Sequence, residues 1–215
     1  MDLTKINELT KSAYDKTALK YHDNFRNEVI EKEYDRSILD KLSNMLPPKA
    51  FICDAGCGPS GHIGKYLLDK GHKVVGIDIS KTCIDIATAY NPLIAFHEMD
   101  MGNTNFGNGS FDAVVAYYSI IYTPKNHVPK IFMEFNRILR PNGKLLIVVK
   151  KGRNEGIVDD DWYEGNAVYF SHFIESEIKN YYSSNSFNLD YLDTRQPYHF
   201  ELNVDRIYAM GTKQR

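Results

Sequence analysis

The sequence predicts an α/β fold, a doubly wound sheet with helices on both faces, from three observations. Between residues 50 and 150, short apolar runs alternate with stretches of helical period, punctuated by Gly71, Asn91-Pro92, Gly107-Asn-Gly109 and Pro141-Asn-Gly143. The runs Ala113-Val-Val-Ala116 and Leu145-Leu-Ile-Val-Val149 are apolar without alternation, as strands of a parallel sheet buried on both faces must be. Segments 187–194 and 201–210 do alternate, which predicts an antiparallel closing pair. A chain of 215 residues suits one α/β domain with a substantial core, so 1–215 is expected to be a single domain.

The elements follow in order. From Asn7 to Leu46 a stripe of Tyr14, Ala18, Tyr21 and Phe25, then Ile30, Tyr34, Ile38, Leu42 and Met45, recurs at roughly helical spacing, a helical cap over 1–46 that Pro47-Pro48 ends. The core, 47–150, reads as strand 50–54, helix 61–70, strand 73–78, helix 80–90, strand 93–98, strand 111–117, helix 126–139 and strand 143–150. Residues 151–215 hold an insertion and the closing strands. The insertion, 151–172, is acidic and aromatic with no clean period, and a helix near 173–184 follows it.

The segment Phe51-Ile-Cys-Asp-Ala-Gly-Cys-Gly-Pro-Ser-Gly61 runs an apolar strand into a glycine turn and then a helix. Such a turn lets the backbone approach a ligand and leaves the helix N-terminus facing it, the arrangement that cradles a nucleotide-like cofactor. Gly56, Gly58 and Gly61 also fit the dinucleotide spacing G-x-G-x-x-G. Asp54 precedes the turn, while Asp78 and Asp100 end the next two strands, so three carboxylates await a ligand with several polar handles. Asp78, about 20 residues on, can accept hydrogen bonds from both ribose hydroxyls, which identifies a ribose and no particular cofactor. An NAD-dependent oxidoreductase and a cofactor-binding regulator without turnover therefore stay open on these residues alone.

The motifs together resemble a known family, the class I S-adenosylmethionine-dependent methyltransferases, closely over about 51–150. Asp54-Ala-Gly-Cys-Gly58 is similar to the family's first motif and Val75-Gly-Ile-Asp78-Ile-Ser80 to the second. Met99-Asp100-Met101 is similar to the third, Phe111-Asp-Ala-Val-Val-Ala116 to the fourth, and Arg137-Ile-Leu-Arg-Pro-Asn-Gly-Lys-Leu-Leu-Ile147 to the helix-turn-strand that leads into strand five. The third glycine of the family's pattern would fall on Ser60, with Gly61 one place later. The resemblance implies a Rossmann-like sheet of seven strands with an antiparallel last strand, and S-adenosylmethionine as cofactor. It implies a cofactor site of Asp54, Gly56, Cys57, Gly58, Asp78, Ile79, Asp100, Met101 and Tyr117, with Tyr14 and Tyr21 of the cap closing over the methionine end. Tyr117 would approach mainly by its backbone. Against the antiparallel ending, a nicotinamide-binding sheet is typically all parallel.

The acceptor is expected to be a small molecule. Net charge is −2, which offers no basic field for a polyanion, and after strand four the chain reads Ala-Tyr-Tyr-Ser, without the Asn/Asp-Pro-Pro-aromatic signature of nucleic-acid amino methylation. Trp162, Tyr163, Tyr169, Phe170 and Phe173 suit an apolar pocket in the insertion, and Asp159-Asp-Asp161 beside them favours a partly apolar or cationic acceptor. If that acceptor is a hydroxyl it needs a base, for which His172, His199 and Tyr118 are candidates; His62, His97 and His127 read as structural or exposed. Lys150-Lys151 reads as a solvated strand exit. Cys53, Cys57 and Cys83 form neither a disulfide framework nor a metal site, and no apolar run approaches the length needed to span a bilayer. The expectation is a cytoplasmic monomer or homodimer, without metal, nucleic acid or membrane as partner.

Overall fold

The computed structural model describes residues 2–159 and 161–214. The helical cap consists of three helices: α1 (Leu3–Phe25), the single turn α2 (Glu28–Glu31) and α3 (Glu33–Met45). The apolar stripe runs through all three, so period alone could not reveal the breaks. The core follows as β1 (Phe51–Ala55), α4 (His62–Asp69), β2 (Lys73–Asp78), α5 (Lys81–Tyr90), β3 (Ala95–Glu98), β4 (Phe111–Tyr117), α6 (Val128–Ile138) and β5 (Leu139–Lys150). β5 bends at Asn142, whose φ is 64°, and its continuous ladder with β4 begins at Lys144 opposite Ala113. That bend is the expected Pro141-Asn-Gly143 turn, absorbed into the strand.

Beyond β5 the aromatic insertion folds as a hairpin, β6 (Glu155–Asp159) with β7 (Ala167–Ser171), followed by α7 (Glu175–Ser184), β8 (Phe187–Arg195) and β9 (Arg206–Lys213). The hairpin was not foreseen, because its exposed face breaks the alternation: Ile157 and Val158 are both largely exposed. β9 also starts later than the expected 201, since residues up to 205 form a loop anchored by Glu201.

Seven strands form one sheet in the order β3-β2-β1-β4-β5-β9-β8, with β1 to β5 parallel and β9 antiparallel to both β5 and β8. One core layer, with Phe132, Phe135, Ile147 and Val149, lies under α6 and α7. The other, with Leu39, Leu42, Leu67, Leu146 and Val148, lies under α3 and α4. This two-faced burial is what the unbroken apolar runs of β4 and β5 required. α1 and the β6-β7 hairpin lie over the carboxyl ends of the parallel strands, joined by a hydrogen bond from Lys16 to Asn166 and by the Phe25–Trp162 ring contact. Among the described residues no helix is long and apolar enough to cross a membrane, and no cluster of His, Cys, Asp and Glu could hold a metal.

Candidate functional site

Strand order reverses between β1 and β4, and at such a switch point the loops leaving the two strands diverge and open a crevice at their carboxyl ends. The glycine turn after β1 forms its floor. Gly56 N–H and Cys57 N–H both donate to the Ile77 carbonyl, at 2.8 and 3.0 Å, which ties the turn to β2. Gly56 sits at φ 78°, and a Cβ there would come within 2.2 Å of the Ser119 Cβ. Only glycine fits this position. Ser119 in turn donates to the Ala55 carbonyl at 2.6 Å, so the exits of β1 and β4 are fastened side by side. Ser60 is buried, and Gly61, at φ 53°, is the residue that starts α4.

Every one of the eleven expected cofactor residues lines a single crevice: Asp54, Gly56, Cys57, Gly58, Asp78, Ile79, Asp100, Met101 and Tyr117 from the sheet ends, with Tyr14 and Tyr21 from α1. Its empty space is about 870 Å³ including the open mouth. Asp54 is 1% exposed and accepts from Gly64 N–H at 2.9 Å in the first turn of α4; burial pushes its carboxyl up to about 7. Asp78 accepts from Gly58 N–H at 3.0 Å with one oxygen and from Ser80 N–H at 2.9 Å with the other. Burial raises its pKa, opposed by those amides, and each oxygen keeps a lone pair for a further donor. Asp100 accepts from Gly102 N–H at 2.8 Å. The crevice thus presents acceptors already fixed by the backbone around a floor where Gly56 and Gly58 carry no side chain, which suits a nucleoside with a vicinal diol. Tyr117 points its hydroxyl away, onto Asp35 of α3, and only its near side borders the space.

The roof is made of aromatic residues. Tyr14 donates to the Tyr122 hydroxyl at 2.5 Å, which lies 3.1 Å from that of Tyr163 in the hairpin. Tyr21, Phe25 and Trp162 continue the row, with ring centroids 4.5 and 5.4 Å apart. Asp15, next to Tyr14, accepts from the Ser80 hydroxyl at 2.5 Å and so moors α1 to the start of α5.

Of the candidate bases, Tyr118 borders the crevice and holds a left-handed backbone at φ 53°, strained for a residue with a Cβ. Burial drives its hydroxyl pKa well above the usual tyrosine value, so it is neutral. His172 and His199 do not line the crevice. His172 follows β7 with its ring 5.0 Å from that of Phe170, and His199 is exposed beside Phe200. His62, read as exposed or structural, does line it, with Nε2 3.5 Å from Glu28 on α2. Burial would raise the Glu28 carboxyl, but His62 and Lys32 outweigh it and hold it at about 2. Asn7, Thr10, Met99, Ser119 and Tyr122 also border the space. Met99 belongs to the third motif after β3, whereas the positions of the other four depend on how α1 and the loop after β4 return to the sheet, which no local motif encodes. Two expectations about charge change. Lys150 is half-buried rather than solvated, with its ammonium 4.8 Å from the Phe170 ring centroid. Asp159 and Asp161 are exposed at the hairpin tip, away from the crevice, and Asp160 lies outside the described residues.

Comparison with known proteins agrees with this fold. Residues 52–143 match the family described as Methyltransferase domain. The chain is 38% identical to the Bacillus subtilis protein YqeM over 109 residues, covering 48% of this chain and 44% of that protein. It is 34% identical to the 18S rRNA (guanine-N(7))-methyltransferase of Bos taurus, covering 50% of this chain and 38% of that enzyme. The chain therefore spans less than half the length of these curated relatives. Among solved structures, the Burkholderia thailandensis 1,6-didemethyltoxoflavin-N1-methyltransferase, with 1,6-didemethyltoxoflavin and S-adenosylhomocysteine bound, superposes with a TM-score of 0.74 at 16% identity, covering 100% of this chain and 92% of that one. At that identity the likeness is one of fold. With the reversed β9, these matches set aside the nicotinamide reading.

Proposed function

We propose, from the premise that this chain belongs to the class I S-adenosylmethionine-dependent methyltransferases, that it moves the cofactor's methyl group to a small-molecule acceptor. The observation that carries the reading is the convergence of Asp54, Asp78 and Asp100 on one crevice floored by Gly56 and Gly58 and roofed by Tyr14 and Tyr21. In this reading Asp78 receives the two ribose hydroxyls, Asp100 and Met101 hold the adenine, and the glycine turn takes the methionine portion. Bound there, the sulfonium supplies a reactive methyl and its own leaving group. The work left to the chain is to hold the acceptor atom about 3 Å from that methyl, in line with the sulfur, and to keep water out.

A small acceptor is supported by the roof. α1 and the β6-β7 hairpin meet over the crevice through Tyr14, Tyr122 and Tyr163, which leaves a covered pocket rather than an open track for a polymer. Calorimetry with S-adenosylhomocysteine and with NAD tests the cofactor, and saturable binding of NAD alone sinks the reading. Asp78→Ala is expected to weaken S-adenosylhomocysteine by about 1–3 kcal/mol, the range for hydrogen bonds to a charged group. A methyl-transfer screen of small amines, phenols and thiols beside bulk RNA tests the acceptor; transfer confined to RNA refutes the small-molecule assignment, and no transfer at all favours a regulator.

A further inference from the structure

Lys150 is the last residue of β5, at the ligand-facing end of the sheet, and by strand alternation it shares a face with Leu146 and Val148. That face is covered by the cap. Around the ammonium stand Glu28, Lys32, Glu201 and Arg206, and all four are already engaged with one another. Lys32 pairs with Glu28 and, at 2.6 Å, with Glu201. Glu201 also takes Arg195 at 2.8 Å and Arg206 at 3.5 Å, and Arg195 reaches Asp35 at 3.3 Å. Every carboxylate in the cluster is spoken for. Among the described residues Lys150 has no ion pair and no hydrogen bond from its ammonium; its one close polar contact is the face of Phe170.

Burial draws the Lys150 pKa down to about 8, with Arg206 and Lys32 adding to the effect and Glu28 and Glu201 opposing it, so at neutral pH a half-buried cation is kept near carboxylates that are already paired and without an ion pair of its own. Such a group is costly unless something pairs with it. Neither Lys150 nor Phe170 lines the crevice, but both adjoin residues that do. Phe170 lies edge-on to Tyr122 at 5.5 Å, Tyr122 lines the crevice, and Tyr118 N–H donates to the β5 carbonyl of Val148 at 2.9 Å. Resting on the methyltransferase reading above, we propose that Lys150 is the anion-recognition residue of the acceptor subsite, and that the acceptor is a small acid whose carboxylate reaches past Tyr118 and Tyr122 to this ammonium. Its apolar body lies against Phe170 and Tyr122. This replaces the cationic acceptor expected from Asp159-Asp-Asp161, since Asp159 and Asp161 are exposed at the hairpin tip.

The test uses the full chain saturated with S-adenosylhomocysteine, titrated by calorimetry with a matched pair of probes, 4-hydroxybenzoate and phenol. Wild type is expected to bind the carboxylate at least tenfold more tightly. Lys150→Met should bring the two probes within about twofold of one another, Lys150→Arg should keep the preference, and both variants should bind S-adenosylhomocysteine as wild type does. Equal binding of the probes to wild type, no binding of 4-hydroxybenzoate, or a preference that survives Lys150→Met overturns the proposal. The wild-type comparison decides even if a variant fails to fold. Failure of wild type to bind S-adenosylhomocysteine instead sinks the underlying methyltransferase reading.

Discussion

The floor and the roof of the crevice are built on opposite terms. In the floor every recognition group is pinned by backbone: Asp78 by Gly58 and Ser80, Asp54 by Gly64, Gly56 by the Ile77 carbonyl. In the roof, side chains hold side chains, through the Tyr14–Tyr122–Tyr163 hydroxyl relay and the Tyr21, Phe25 and Trp162 row. Backbone hydrogen bonds leave one geometry, whereas hydroxyl rotors and ring packing tolerate several. The difference teaches that the floor is suited to a single invariant ligand and the roof to one that is chosen, which is how a cofactor and an acceptor divide a pocket.

Breaking the floor should have the largest effect. Gly56→Ala forces a Cβ to within 2.2 Å of Ser119 at a φ of 78°, so the turn must move. About 3 kcal/mol of S-adenosylhomocysteine affinity, roughly 150-fold, is expected to disappear while the protein stays folded. Calorimetry beside a thermal melt checks this, and undiminished affinity would mean that the turn is not the floor.

Loosening the roof should cost less. Tyr14→Phe removes one hydroxyl from the relay, worth about 1 kcal/mol, and should speed S-adenosylhomocysteine release about fivefold in stopped-flow measurements. An unchanged release rate would show that the relay does not gate the pocket.

A third test sharpens the comparison through proton binding. Asp54 titrates near 7 when folded, above the ordinary aspartate value of about 4 that it has when unfolded. Between those values the folded protein binds more protons than the unfolded one, so this group makes stability fall as pH rises from about 4 to 7, with the loss complete above 7. Urea midpoints across that range should carry the decline in wild type and lose that component in Asp54→Asn. Identical profiles would mean that Asp54 is more open to water than its burial implies.

The floor was legible in the sequence because its chemistry is local. Asp54 and Asp78 lie at the ends of their own strands and Asp100 just beyond its own, and the glycine turn directly follows the strand of Asp54, so spacing along the chain already gave spacing in space. The reversed β9 was legible from alternation. The roof was legible only in part. The Tyr14 and Tyr21 stripe could have been plain packing, and their partners Tyr122 and Tyr163 lie 108 residues or more away from Tyr14. The β6-β7 hairpin hid behind two exposed apolar neighbours, and His62 read as a first-turn surface residue because Glu28, which it meets, sits on another element. Lys150 was misread for a similar reason: a lysine at a strand end looks solvated until the cap is folded over it.

The way α1 is moored also bears on the sequence of events by which the chain reaches its native state. α1 is made before the sheet it covers, yet its polar anchors are distant: Asp15 to Ser80, Tyr14 to Tyr122, Lys20 to the Trp162 carbonyl. A lone helix of this kind is marginal in water, and closing loops of that size carries an entropic cost that only a formed sheet can offset. Though made ahead of the sheet, α1 should therefore be among the last elements to settle, with pulse-labelled amide exchange in α1 protected after β1 and β4. Protection of α1 ahead of the sheet would show that it forms on its own.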